Sequence, residues 1–94
     1  RPNILFIMTD QQHAGVMSCA GNPHVRTPAL DALAASGIRF ERAYATNPVC
    51  VPSRFSLQTG FMPSAVGLRL NESKVSVPES MRAQSLGPLL RRAG

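Results

Sequence analysis

Apolar residues run without a break from Ile4 to Met8, a length that suits a strand, and the run stops in Thr9-Asp10-Gln11-Gln12. An uninterrupted apolar strand fits a parallel sheet covered on both faces. Polar residues at its carboxyl end fall where α/β sheets hold their ligands. Residues 13–24 show little period and contain Gly15, Gly21 and Pro23, so they read as a loop with one helical turn. Thr27-Pro28 then opens a helix, Thr27 as N-cap and Pro28 in first position. Leu30, Leu33 and Ala34 form its apolar stripe and Gly37 ends it. From Ile38 to Thr46, apolar Ile38, Phe40 and Ala43 alternate loosely with Arg39, Glu41 and Arg42, the pattern of a second strand.

Asn47-Pro48-Val49 turns the chain into a further helix, expected from about Pro52 to Thr59 with Gly60 beyond it. Residues 61–78 read as an extended loop without a strong element. The segment from Ser85 to Gly94 reads as a helix, with Ser85 at the N-cap, Pro88 in the first turn and Arg91-Arg92 near the end. The order strand, helix, strand, helix, loop, helix predicts α/β layering.

Composition narrows the functional classes. Ten basic residues against five acidic ones give a net charge of +5, and nine of the ten are arginine, but they are spread along the chain instead of clustered. Nucleic-acid recognition wants a basic patch, or aromatics on which bases stack, and the chain has five aromatic residues. A site for an anionic ester needs one or two of these arginines. Cys19 and Cys50 make neither a disulfide framework nor a Cys-x-x-Cys pattern, which argues against a structural zinc site. No segment reaches the roughly 18 apolar residues of a membrane helix. No signal peptide precedes the first apolar run, and the compartment is left open.

The densest chemistry lies in Cys50-Val51-Pro52-Ser53-Arg54-Phe55-Ser56-Leu57-Gln58-Thr59-Gly60. A cysteine just before a helix amino terminus sits where N–H groups and the helix dipole favour negative charge. Arg54 follows four residues later, about one helical turn on and on the same face. A nucleophile position and a cation would then address one pocket.

This run resembles the type I sulfatase signature, Cys-x-Pro-Ser-Arg followed by Thr-Gly. The resemblance extends along the chain: residues 1–10 look like the family's opening strand, Thr27 to Ala34 like its first helix, and Ile38 to Tyr44 like its second strand. It implies that residues 1–94 are the amino-terminal portion of a catalytic domain with an alkaline-phosphatase-like fold, a mixed and mostly parallel sheet with helices on both faces. It implies that a formylglycine-generating enzyme oxidises Cys50 to formylglycine. The hydrated aldehyde attacks the sulfur of a sulfate ester, and its second hydroxyl then expels sulfate. Arg54 would neutralise charge on the transferring group. The metal, Ca²⁺ or else Mg²⁺ or Mn²⁺, would be held by Asp10, by Gln11 in place of a second aspartate, and by the side chain at Cys50. Further ligands and sulfate-binding residues would lie downstream of Gly94. Two alternatives accompany the sulfatase reading. One is a phosphonate or phosphate-diester hydrolase of the same superfamily, where Asp-Gln also occurs. The other is an inactive fragment that keeps only the fold. Asn71 lies in a recurrent Gly-x-x-x-Asn stretch of the family and reads as loop structure near the site. His13 and His24 read as solvated loop residues.

Overall fold

The computed structural model describes residues 3–94, so Arg1 and Pro2 of the expected opening strand lie outside the described residues. Two compact units divide the chain, one reaching through Glu41 and the other running from Arg42 to Gly94.

In the first unit, a 3₁₀ turn over Ser18–Ala20 packs against α1, Pro28–Ser36. The helix begins where Thr27-Pro28 predicts, but the threonine hydroxyl does not cap it in the ordinary way. It accepts the Ser18 N–H at 3.0 Å and donates to Asp31 Oδ1 at 3.0 Å. Asp31 also accepts the Cys19 N–H at 2.9 Å and the Ser18 hydroxyl, while Ser18 Oγ accepts the Thr27 N–H at 2.9 Å. One carboxylate in the first turn of α1 therefore ties the preceding loop to the helix, and its charge also suits the positive end of the dipole. At the other end, a Cβ on Gly37 would stand 3.2 Å from the Leu33 carbonyl oxygen, tight enough that glycine closes this helix without crowding.

Hydrogen bonds to the charged form, first from the Ser18 hydroxyl and then from Thr27 and Cys19, outweigh partial desolvation and hold the Asp31 carboxyl below its ordinary value. A carboxyl lowered in the folded state adds stability that is present above its unfolded pKa of about 4 and is lost as pH falls through the lowered folded value. The melting temperature of Asp31→Asn is therefore expected below that of the unaltered protein at neutral pH. The gap should narrow as pH drops below about 4. A gap that stays constant from neutral to pH 3 would show that the carboxylate has no part in holding the loop.

The second unit carries three helices: α2, Cys50–Thr59; α3, Glu79–Ala83; and α4, Leu86–Ala93. A 3₁₀ turn at Pro63–Val66 packs on α2, and α4 meets both α2 and α3. Its small core centres on Leu68, which is 3% exposed, with Pro52 and Pro63 also buried. α4 starts after Ser85 as expected, yet the Ser85 hydroxyl turns back to the Arg82 carbonyl at 2.6 Å and closes α3 instead of capping α4. α3 falls just past the stretch read as an extended loop; Pro78 followed by Glu79 in its first turn is the local signal for it.

Of the expected α/β layering, the described residues form helices and turns and contain no strand. Ile4 to Met8 carries no regular element and is 49 to 84% exposed, and residues 38–46 form no ladder. The physical reason is that a helix satisfies its backbone within itself, whereas a strand needs a neighbour to receive its N–H and C=O groups. No such neighbour is supplied to Ile4 to Met8 or to residues 38–46 among the described residues. Arg39 and Glu41, two residues apart, still pair at 3.0 Å, as side chains on one side of an extended segment do.

Candidate active site

α2 is the element that organises the candidate chemistry. Val49 is its N-cap in an extended conformation, and Asn47 Oδ1 accepts the Val49 N–H at 2.9 Å, fixing the turn that leads in. Cys50 is the first helical residue, not a residue ahead of the helix, so the helix starts two positions earlier than Pro52 predicts. Proline tolerates its third position for the same reason it tolerates the first: N–H groups of the first turn have no partner inside the helix. Pro52 has no N–H to satisfy, Ser53 N–H reaches the Val49 carbonyl at 3.0 Å, and Val51 N–H donates to Asn71 Oδ1 at 2.9 Å.

The far end is equally defined. Gly60 takes the left-handed conformation at φ 75° and its N–H bonds the Ser56 carbonyl at 2.8 Å. The Thr59 hydroxyl donates to the Phe55 carbonyl at 2.7 Å and accepts the Phe61 N–H at 3.2 Å. Ser56 and Thr46 share a hydroxyl hydrogen bond at 2.8 Å, linking mid-helix to the segment before it. Thr59-Gly60 thus ends a helix, which is geometry and not chemistry.

Cys50 is half-buried with a free thiol, and Arg54, one turn along the same helix, is exposed. Arg54 lines an apolar groove of about 540 Å³ together with Val51, Phe55, Leu68 and Val77, and Cys50 is not among the groove's lining residues, so the two are not brought to one pocket as the spacing predicts. A guanidinium lining an apolar groove is a group whose planar fork matches a sulfate or carboxylate. Cys19, the other cysteine, is half-buried and free, and its N–H is committed to Asp31.

Asp10 and Gln11 belong to the first unit and both are exposed. Gln11 has φ 55°, the one positive value at a non-glycine residue among those described. Such a conformation costs energy in most contexts and tends to be kept where a side chain must be aimed. A carboxylate and an amide oxygen in sequence are the donors a hard cation takes, but such ions want about six or more oxygens. Among the described residues, no group of three or more His, Cys, Asp or Glu is placed to hold a metal ion. The donors therefore fit the expected cation in kind and fall short in number.

His13 closes its own loop: Nδ1 accepts the Gly15 N–H at 3.0 Å and its carbonyl accepts the Val16 N–H at 3.1 Å. Around His24, Asn22 Oδ1 accepts the His24 N–H at 2.9 Å and the Val25 N–H at 3.3 Å. Both histidines are exposed and shape the loop of residues 13–25. The residue that local sequence reasoning undervalued is Asn71, whose contact with α2 spans 20 positions of chain. Its Gly-x-x-x-Asn setting was the available signal.

The sulfatase family model matches residues 2–94. This chain belongs to the sulfatase family. Its sequence is 46% identical over 72 residues to an ulvan-active sulfatase of Formosa agariphila, covering 77% of this chain and 14% of that protein. It is 38% identical over 94 residues to an N-acetylglucosamine-6-O-sulfatase of Bacteroides thetaiotaomicron, covering 100% and 16%. With human arylsulfatase A the identity is 43% over 67 residues, covering 71% and 13%. The chain thus spans 13 to 16% of the length of these relatives. No solved structure matches it. Sulfatase membership carries an alkaline-phosphatase-like α/β fold as the family's architecture. No helix among the described residues is long and apolar enough to cross a membrane.

Proposed function

We propose that these residues are the amino-terminal portion of a longer catalytic domain that hydrolyses organic sulfate esters, with Cys50 as the precursor of its nucleophile. The observation that carries this is the single helix formed by the signature, with Cys50 in its first turn and Arg54 one turn on, in a chain the sulfatase family matches from residue 2 to 94. Conversion of Cys50 to formylglycine supplies a hydrated aldehyde, two hydroxyls on one carbon: one displaces the alcohol from sulfur, and deprotonation of the other expels sulfate.

The chain's own residues do the rest of what is assigned here. The start of α2 puts the positive end of the helix dipole beside residue 50, which favours an anion there. Arg54 adds a positive charge to bind the ester and offset negative charge in the transition state. Asp10 and Gln11 contribute oxygen donors to a divalent cation, Ca²⁺ or Mg²⁺, whose remaining ligands lie outside this stretch. The acceptor substrate is named by its shared group, a sulfate ester on a small molecule or a carbohydrate.

One sequence feature favours a second reading, a phosphonate or phosphate-diester hydrolase: the Asp10-Gln11 pair holds one carboxylate where two aspartates are commoner in the family. The deciding experiment compares kcat/KM of the full-length protein, produced with a formylglycine-generating enzyme, on an aryl sulfate and an aryl phosphonate ester. Preference for the sulfate supports the first reading, and preference for the phosphonate replaces it with the second.

Residues 1–94 in isolation are expected to turn over neither ester and to bind calcium weakly. They present at most three ligand positions, Asp10, Gln11 and residue 50, and leave the apolar face of Ile4 to Met8 exposed. Turnover by the isolated piece, or calcium affinity equal to that of the full-length protein, would mean that the site is contained in this stretch.

A further inference from the structure

We infer that Asn71 is a positioning residue for Cys50: its side-chain oxygen holds the start of α2, and its lack of charge keeps that place open to an anion. The inference rests on the reading of Cys50 as the nucleophile position for an anionic ester. Asn71 Oδ1 accepts the N–H of Val51, the residue directly after Cys50, at 2.9 Å across 20 residues of sequence. It completes the first turn of α2, where Val49 as N-cap has no side-chain oxygen to offer and Pro52 has no N–H.

The acceptor is itself held in place. Asn71 lies in a turn where the Ser73 N–H donates to the Leu70 carbonyl at 3.2 Å and Ser73 Oγ accepts the Leu70 N–H at 3.0 Å. The approach to that turn is anchored by Leu68, buried to 3% exposure, whose N–H donates to the Pro63 carbonyl at 3.0 Å. A hydrogen bond from a fixed turn pins the backbone one residue from the thiol, so residue 50 does not fray with the helix end. Within a hydrogen bond's reach of that backbone, an aspartate would cap as well as an asparagine does. It would also put a negative charge close to where both the ionised nucleophile and the ester must sit, and like charges there repel.

The two functions separate in Asn71→Ala and Asn71→Asp of the full-length protein. Three measurements are made on each: the converted fraction of residue 50 by peptide mass, hydrogen exchange of the peptide covering residues 50–60, and kcat and KM for an aryl sulfate per converted enzyme. Alanine should speed exchange at the start of α2 and lower kcat about 10-fold or more, with a smaller effect on KM, as expected when a nucleophile is misplaced. Aspartate should keep exchange near that of the unaltered protein while raising KM, an effect that weakens at high salt. A purely structural cap would predict normal kinetics for aspartate, and that result overturns the charge assignment. Unchanged exchange in the alanine variant overturns the positioning role. The exchange measurement does not depend on turnover, so a protein that hydrolyses no sulfate ester but shows faster exchange with alanine would sink the sulfatase reading and leave the cap standing.

Discussion

Cys50→Ala in the full-length protein is expected to abolish sulfate ester hydrolysis, a loss on the order of 10⁴- to 10⁶-fold, because a methyl group supplies no nucleophile. Cys50→Ser should come close to the same result for a different reason. Serine brings one hydroxyl that can attack sulfur, but it has no second hydroxyl on the same carbon to expel the sulfate, so the enzyme would stall as a sulfated ester. Peptide mass analysis distinguishes the two: a lasting mass increase by one sulfuryl group at residue 50 is expected for serine and none for alanine. In the unaltered protein, made with a formylglycine-generating enzyme, the aldehyde should appear at Cys50 and not at Cys19. Only Cys50 is followed by proline and arginine at the second and fourth positions after it. An unconverted Cys50, or an active Cys50→Ala, would remove the basis for the proposed function.

Asp10→Asn is expected to weaken divalent metal binding and lower turnover by roughly 10²-fold or more, the cost of losing a charged group that holds a catalytic cation. The substitution keeps the shape and one oxygen but discards the charge, so calcium titration of the purified protein reads the ligand role apart from activity. Gln11→Ala should be milder, since it removes a neutral donor. It also relieves nothing at φ 55°, where alanine is no better placed than glutamine. Gln11→Gly separates the two contributions, because glycine adopts that conformation freely while lacking the oxygen. Wild-type calcium affinity in Asp10→Asn would mean that the ligand assignment after the first apolar run is wrong.

What could be read from the sequence was local. Thr27-Pro28 sets the start of α1 and Gly37 its end, Gly60 stops α2, and Ser85 marks the start of α4. These signals work because a helix is bounded by groups three or four residues apart, so its ends are written next to it. The signature's composition placed Cys50 and Arg54 one turn apart for the same reason, and the sulfatase family followed from that run. Tertiary structure decided the connections between distant residues. Thr27 and Ser85 occupy the expected cap positions, yet the Thr27 hydroxyl joins Ser18, nine residues back, to Asp31, and the Ser85 hydroxyl turns to the Arg82 carbonyl at the end of α3. Asn71 reaches Val51 from 20 residues away, a bond no local pattern contains. The two segments read as strands depend most on distant partners. Their hydrogen bonds must come from neighbouring strands, so the sequence marks Ile4 to Met8 as fit for a sheet while only a partner strand can make it one.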